Sequence, residues 1–397
     1  MKQKLVLVAH DKAPSVALEL AGNKLKEAFA REGIVCEISM HCAHGAPPLD
    51  LDTWSFSLTA EDAAAATLVV TGVSSSKALA AEEIWAADEA RDRILDARAK
   101  RQPPGVQYGV YLDTDMGNRY WFDDKVADEV SFAFAPNADE VAAAQKRYPK
   151  ARVFLAGNPL EEAAAFPVTT REGIRATLNV ADGEPFILCP GGKDLQVNCD
   201  FIKGVCTAVL KPAVLNLSPL IIFSPHPGDQ NDPEAYIELL KEIYYNGQLV
   251  ASPALLHPKH TQHEKYAALR NDRRISQELF AASLLIPGCD IVVHSASTIA
   301  KEAGYQRKSA LNYFTRSAFK RNPDLRAWPP VARGVEEAVY EELYPEPEAL
   351  AAAIVRLLTP EGFAPMRARQ EAVYLKPDYK GAAVDKMVAA IREIAGV

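Results

Sequence analysis

The sequence predicts an α/β protein with two domains, each built on a parallel sheet that helices cover on both faces. Two observations predict this fold. Short apolar strands alternate with helical stretches along most of the chain, which is the pattern of buried parallel sheets. This alternating series also begins a second time, and 397 residues exceed the roughly 250–300 over which one hydrophobic core can grow.

The individual strands follow from the apolar runs. In the first series they are predicted at residues 4–10, 34–40, 67–72, 105–113 and 151–159. In the second they are predicted at residues 186–192, 220–229, 249–256, 290–297 and 309–314, the last of which is expected to end the sheet. Apolar residues that recur every three or four positions predict helices between them, as in residues 77–100.

The domain division is predicted where this alternation breaks, near residues 158–182. We expect a first domain at residues 1–165 and a second at 166–375. Residues 361–381 are expected to be irregular. Residues 376–397 contain a final amphipathic helix, which we expect to pack back on the first domain.

Composition narrows the class of protein. The net charge of −8 comes without a long Lys/Arg block, which argues against a nucleic-acid partner. The six cysteines lack CxxC spacing and indicate reduced thiols in a cytoplasmic protein. No apolar run approaches the ~18 residues of a transmembrane helix. A peripheral membrane contact and a homodimer stay open.

The stretch HSASTIAKEAG (294–304) follows an apolar strand with small hydroxyl residues and then a helix. Ligands of parallel α/β sheets bind at the carboxyl ends of strands, where helix amino termini attract phosphate. Ser295, Ser297 and Thr298 are therefore candidate diphosphate contacts, and Glu302 is a candidate acceptor for the hydroxyls of a ribose. In the alternative, Ser297 or Thr298 only caps the helix and Glu302 is a solvated acid.

Two other strand ends carry candidate residues. In CPGGKD, Gly191 and Gly192 allow positive φ and close approach of a ligand, and Lys193 could face a phosphate. In SPHPGD, His226 is held between two prolines that restrict the backbone. Each could also be a simple turn. Since all three loops follow strands of one sheet, we expect them to converge on one site.

Together these motifs resemble the GT-B superfamily, which comprises nucleotide-sugar glycosyltransferases and UDP-N-acetylglucosamine 2-epimerases. AGNPLEE (156–162) is similar to the GNP motif at the domain junction, and the three strand-end motifs are similar to the nucleotide-binding loops. The resemblance implies two Rossmann-like domains that face each other across a cleft. It also implies a nucleotide bound mainly by the second domain, and a C-terminal helix that crosses back to the first.

A segment of the first domain further resembles polysaccharide-biosynthesis members of the superfamily. There a strand ending in GxS leads to a helix, and the next strand ends in Asp followed by Asn and aromatic residues. The resemblance implies that Ser74, Ser75 and Asn118 line the acceptor side of the cleft. The first loop, AHDKAPS, lacks the GTRPE-like motif of the epimerases, which disfavours that reaction without excluding it.

In sugar transfer the leaving phosphate must be stabilised. Helix amino termini and a cationic group of the protein can stabilise it without a metal ion. An inverting reaction also needs a general base. His10, with Asp11 beside it, is the first candidate because imidazole titrates near neutral pH. Asp113 and Asp115 are the alternative base, or they position hydroxyl groups. His10 could instead be a structural residue at a strand end.

No metal or cofactor is expected. The HPKHTQHE run (257–264) offers metal ligands, but its proline indicates a loop, and zinc sites need fixed geometry. No GxGxxG or GxxxxGK[ST] motif occurs where a dinucleotide or ATP loop would need it.

The sequence therefore predicts a glycosyltransferase that moves a sugar from a nucleotide diphosphate donor, UDP-linked by preference, to a glycan, lipid-linked or small-molecule acceptor. The alternatives are a 2-epimerase-like enzyme that acts on the nucleotide sugar itself and a catalytically silent nucleotide-sugar-binding protein. The donor sugar, the acceptor and the stereochemistry stay open.

Overall fold

A computed structural model gives the fold. It describes residues 3–9, 12–42, 54–55, 58–73, 80–112, 127–224, 226, 231, 235–236, 239, 249–251, 282–327, 334, 339–344, 346–374 and 376–397. The chain divides into two compact units, of which unit 1 comprises Met1–Ala163 and Pro377–Val397 and unit 2 comprises Ala164–Lys376.

Unit 1 is built on a parallel sheet with the strand order β3-β2-β1-β4-β5-β6-β7. Its strands are β1 (Gln3–Ala9), β2 (Cys36–Cys42), β3 (Trp54–Ser55), β4 (Leu68–Thr71), β5 (Gln107–Tyr111), β6 (Phe132–Ala135) and β7 (Arg152–Leu155). Its helices are α1 (Lys12–Glu32), α2 (Ala60–Ala65), α3 (Ala81–Ala99), α4 (Ala138–Arg147), α5 (Pro159–Ala165), which runs across the division, and the C-terminal α14 (Ala382–Ala395).

Alternate residues of β1 enter different cores, because successive side chains of a strand point to opposite faces of the sheet. Leu5 and Leu7 pack in the cluster that contains α1 and α14. Val6 and Val8 pack in the cluster that contains α3. A strand buried on both faces has no polar alternation, which explains the continuous apolar run KLVLVA.

Unit 2 is built on a parallel sheet with the order β10-β9-β8-β11-β12-β13. Its strands are β8 (Phe186–Pro190), β9 (Leu220–Ser224), β10 (Leu249–Ala251), β11 (Ile291–His294), β12 (Ser309–Tyr313) and β13 (Glu341–Leu343). Its helices are α6 (Arg171–Thr177), α7 (Leu195–Val209), α8 (Pro212–Leu215), α9 (Ala282–Leu285), α10 (Ile299–Tyr305), α11 (Arg316–Arg321), α12 (Pro347–Leu357) and α13 (Pro360–Val373), with a 3₁₀ turn at Leu325–Ala327.

Two cores lie on the two faces of this second sheet. Odd-numbered residues such as Ile187 and Val293 pack in the cluster that contains α7 and α12. Even-numbered residues such as Leu188 and Val292 pack in the cluster that contains α10. The strand order reverses beside β8, from which the chain builds first toward β10 and then toward β13. Such a reversal is where α/β sheets bind ligands.

Six of these fourteen helices have a local cause for their start in the sequence. Where a side-chain oxygen of the preceding residue accepts a hydrogen bond from the first turn, it satisfies an amide that the helix leaves unpaired. The residues that do so are Thr59, Asn137, Thr170, Asp194, Thr315 and Thr359.

The prediction of an α/β fold with two parallel sheets is confirmed, and three details of it are wrong. Strands β3 and β6 were not predicted. Residues 309–314 do not end the sheet, because the short edge strand β13 pairs with β12. Residues 361–381 are not all irregular, since helix α13 covers most of them, with Pro360 at its first turn and Thr359 as its cap.

Helix α14 is tied to unit 1 by a carboxylate. Gly381 precedes the helix at φ 101° and has no side chain with which to cap it. Glu162 supplies the missing acceptor: its Oε1 and Oε2 accept from the backbone N–H groups of Ala382 (2.6 Å) and Ala383 (3.0 Å). Met387 and Ile391 then bury the helix in the unit 1 core. Among the helices that the structure describes, none is long and apolar enough to cross a membrane.

Candidate functional site

Four strands of unit 2 end at, or one residue beyond, one row of residues. Ser224 of β9 is paired with Pro190 of β8, and His294 of β11 is paired with Asn312 of β12. Strand β11 is paired with β8 through Val292 and Leu188. Two residues later along both strands, His294 therefore lies level with Pro190. All four residues have even numbers in strands whose even-numbered side chains face α10. Ser224, His294 and Asn312 therefore form a polar row on one face, at the carboxyl edge of the sheet.

This polar row is buried, with relative exposures of 1% for Ser224, 1% for His294 and 0% for Asn312. Each residue has a buried polar atom that finds no partner in the described part of the chain: Ser224 Oγ, His294 Nε2 and Asn312 Nδ2. A buried polar group without a hydrogen bond costs free energy, so each such atom calls for an explanation. Three of them on one row, beside a strand-order reversal, make this row a candidate binding site.

Two members of the row hold the turn above them. Asn312 Oδ1 accepts from the backbone N–H of Ala296 at 3.0 Å, and His294 Nδ1 accepts from that of Ser297 at 3.2 Å. Between them, Ala296 adopts a φ of 51°, a left-handed conformation that is uncommon for residues other than glycine. The two hydrogen bonds therefore fix the shape of the turn that follows β11.

The protonation state of His294 follows from its surroundings. Burial lowers its pKa to about 3, because the charged imidazolium loses its solvation, so the ring is neutral near pH 7. Since Nδ1 accepts a hydrogen bond, the single ring proton is on Nε2. The Tyr340 ring meets the imidazole edge-on, with the ring centroids 5.2 Å apart. His294 is thus a neutral hydrogen-bond donor and too weak a base to take up protons at neutral pH.

The GGKD loop after β8 is held internally. Gly191 N–H donates to the Ser224 carbonyl at 2.8 Å, and Gly192 N–H donates to Asn198 Oδ1 at 2.7 Å. Asn198 Nδ2 in turn donates to the Gly192 carbonyl at 3.0 Å and to Tyr236 at 2.8 Å. These two amides, which we expected to face a ligand, have partners within the protein.

Neither glycine uses the positive φ that its residue type allows, since neither is among the residues with positive φ. The reason for glycine at position 191 is packing instead. A Cβ there would lie 2.8 Å from the ring of Phe223 and 3.1 Å from Asn198 Oδ1. At Gly192 the nearest atom would be 3.7 Å away, an ordinary contact.

Lys193 and His226 are exposed candidates at this edge. The Lys193 carbonyl accepts from Asn231 at 3.0 Å. Asp194 caps α7 through a 2.9 Å bond from Val197 N–H and forms an ion pair with Arg321. His226 lies two residues beyond Ser224, so it leaves the sheet at the same edge.

The hydroxyl residues after β11 lie at the surface. Ser295 and Ser297 are half-buried and Thr298 is exposed. Ser297 Oγ accepts from Ile299 N–H at 3.4 Å, whereas Thr298 makes no side-chain cap. Capping by Ser297 is therefore partly right, and capping by Thr298 is wrong. Glu302 is half-buried in the first turn of α10. The candidates after β8, β9 and β11 thus leave one edge of one sheet, and their roles in binding stay predictions.

The candidates in the first series, His10, Asp11, Ser74, Ser75, Asp113, Asp115 and Asn118, lie outside the residues that the structure describes. The described chain reaches the ends of β1, β4 and β5, which are adjacent strands. Next to β4, a Cβ on Gly72 would lie 2.7 Å from Pro14 and 3.0 Å from Glu83 Oε1. Glu83 is a buried carboxylate at this edge that sequence reasoning did not select.

Within the described ranges, no group of three or more His, Cys, Asp or Glu residues could hold a metal ion. The 257–264 run lies outside them. Burial raises the pKa of Cys206 and of Cys289 to about 12, so neither forms a nucleophilic thiolate at neutral pH.

The two Rossmann-like units define the GT-B class of fold, and solved structures confirm it. The chain is similar to S. aureus MnaA in complex with UDP, with 12% identity and a TM-score of 0.59 over 99% of this chain and 97% of that one. It is also similar to UDP-GlcNAc 2-epimerase of Neisseria meningitidis bound to UDP-GlcNAc, with 12% identity and a TM-score of 0.55 over 98% and 100% of the two chains.

A third similar structure is the wall teichoic acid polymerase TagF, with 10% identity and a TM-score of 0.52 over 100% of this chain and 90% of that one. No family model and no curated protein matches the sequence. The predicted resemblance to the GT-B superfamily is therefore confirmed at the level of the fold.

Sequence reasoning did not select Ser224, His294, Asn312 or Asn198. The first three share one signal: a polar residue at or near the end of an otherwise apolar strand. That signal is ambiguous in a sequence. The sheet decides on which face the side chain lies and which residues of the neighbouring strands lie beside it.

Proposed function

We propose that the chain is a nucleotide-sugar enzyme that binds its donor at the carboxyl edge of the unit 2 sheet. The polar row of Ser224, His294 and Asn312 carries this proposal, because it places three buried atoms without a described partner at a strand-order reversal. The complexes of the two structurally similar proteins with UDP and UDP-GlcNAc support a UDP-linked donor.

Transfer of the sugar to an acceptor is the reaction that we propose. The AHDKAPS loop lacks the GTRPE-like motif of the epimerases, and the likeness to a wall teichoic acid polymerase supports a transfer reaction. The acceptor is a glycan, a lipid-linked sugar or a small molecule. His10 is the proposed general base, with Asp113 or Asp115 as its alternative. His294 is unsuited to that role, since its pKa of about 3 leaves it a very weak base.

The second candidate is a 2-epimerase that acts on the nucleotide sugar without an acceptor. It is favoured by the epimerases among the structures of similar fold. The two reactions share a donor site and differ in whether a second substrate is required.

Binding is tested first, by thermal shift with UDP-, GDP-, CMP- and dTDP-sugars. A ligand at 100 times its Kd adds about 2.7 kcal/mol to the free energy of unfolding, which such an assay detects. We expect UDP-sugars to stabilise the protein most. No stabilisation by any of them would contradict the proposal.

The reaction is tested next, by NMR with the sugar that binds best. Release of UDP only after an acceptor is added supports a transferase. A new sugar epimer in the absence of an acceptor supports the epimerase. Binding without any turnover would contradict both reactions and indicate a nucleotide-sugar-binding protein.

A further inference from the structure

His294 and Asn312 are bonded to the turn above them in the same manner. They are paired residues on adjacent parallel strands, which run about 4.8 Å apart, and their side chains lie on the same face of the sheet. Each accepts a hydrogen bond from a backbone N–H of the turn: His294 Nδ1 accepts from Ser297, and Asn312 Oδ1 accepts from Ala296. Each has its donor atom, Nε2 or Nδ2, buried and without a partner in the described part of the chain.

The chemical character of the two remaining atoms follows from those bonds. Because Asn312 Oδ1 is the acceptor, the other terminal atom is the NH₂ group. Because His294 is neutral and accepts at Nδ1, its Nε2 carries the proton. The pair therefore offers N–H donors and no acceptor, and neither member carries a negative charge.

We propose that the His294 Nε2–H and the Asn312 Nδ2 amide form a binding subsite for a nucleotide oxygen that only accepts hydrogen bonds. The subsite rests on the nucleotide binding proposed above. A phosphate oxygen and a base carbonyl have this chemistry. A sugar hydroxyl fits poorly, because its own proton would need an acceptor that the pair lacks. Ser224 is two strands away from His294, or about 10 Å.

Access to this donor pair involves the Ser295–Thr298 turn. The strand residues are fully buried, whereas the turn residues are half-buried or exposed. The ligand oxygen therefore has to approach the donors from the side of this turn.

The first test is the substitution Asn312→Asp, which keeps the side-chain size and the acceptor for Ala296 but replaces the amide donor by a carboxylate oxygen. The matched control is Ser309→Ala, a buried residue at the other end of β12 whose hydroxyl donates to the Leu357 carbonyl. Binding of UDP, inorganic pyrophosphate and uridine is measured by calorimetry. We expect Asn312→Asp to weaken UDP binding ten-fold or more and the control to change it less than two-fold.

The three ligands identify the source of the oxygen. Weaker pyrophosphate binding in the Asn312→Asp variant assigns the oxygen to a phosphate, and weaker uridine binding assigns it to the base. Equal UDP affinity of this variant and the wild type overturns the subsite while the proposed function stands. A wild type that binds neither UDP nor pyrophosphate overturns both.

A second measurement uses the unaltered protein, in case the variant does not fold. Histidine labelled with ¹⁵N reports the Nε2–H tautomer of His294 by NMR, and His294→Phe assigns the signal. We expect the Nε2 and its proton to shift when UDP is added. An unchanged signal at saturating UDP overturns the subsite. So does a variant that loses thermal stability but keeps its UDP affinity, since that result would assign the pair to an internal water.

Discussion

The carboxylate of Glu162 should contribute more to stability than any surface acid of the chain, because it replaces the missing cap of α14. Its side chain is 4% exposed, and both oxygens accept backbone N–H bonds from the first turn of that helix. Glu162→Ala leaves two buried donors unpaired, each at a cost of about 1–3 kcal/mol. We therefore expect a loss of about 2–6 kcal/mol, and about half of that for Glu162→Gln, which keeps one acceptor.

Glu361→Gln is the matched control, because Glu361 lies in the first turn of α13 but is exposed. Its interaction with the helix dipole is worth about 0.3–1 kcal/mol. Urea denaturation measures the free energy of unfolding, and hydrogen exchange of residues 382–391 shows whether α14 is the part that opens. If Glu162→Ala changes stability by no more than the control, or leaves the exchange of α14 unaltered, the capping argument is refuted.

Three further outcomes are expected. Gly191→Ala should lower the free energy of unfolding by about 1–3 kcal/mol, because its Cβ would lie 2.8 Å from a phenylalanine ring, whereas Gly192→Ala should be nearly neutral in the same urea titration. The pKa of His294 is about 3 in the folded chain and 6.5 ordinarily, so below pH 6.5 the unfolded chain binds a proton that the folded chain does not. Stability should therefore fall by up to about 1.4 kcal/mol per pH unit from pH 6.5 toward 3, and His294→Gln should remove this contribution when unfolding is compared at pH 7 and pH 5. Glu302→Ala should weaken UDP binding in calorimetry, while His10→Ala should keep binding and abolish turnover; equal small effects of both would contradict these roles.

The sequence predicted which loops carry the candidate site, but it did not predict how the residues of those loops are bonded. The loops after β8, β9 and β11 were identified because glycine, proline and small hydroxyl residues follow apolar strands. Such a pattern is visible within a short stretch of sequence. The use of those residues was harder to predict. Gly192 N–H donates to Asn198, which lies six residues later in α7. The GGKD motif alone does not predict that hydrogen bond.

The sequence by itself determined the fold class, because a strand buried on both faces must be apolar throughout and a helix beside it must repeat every three to four residues. It also determined six of the fourteen described helix starts, since a capping oxygen acts within three residues. Only the tertiary structure decided which residues share the polar row. Ser224, His294 and Asn312 are far apart in the chain and become one site through strand order and register, which depend on contacts between distant segments. The same holds for Glu162, whose partners follow it by 220 residues or more.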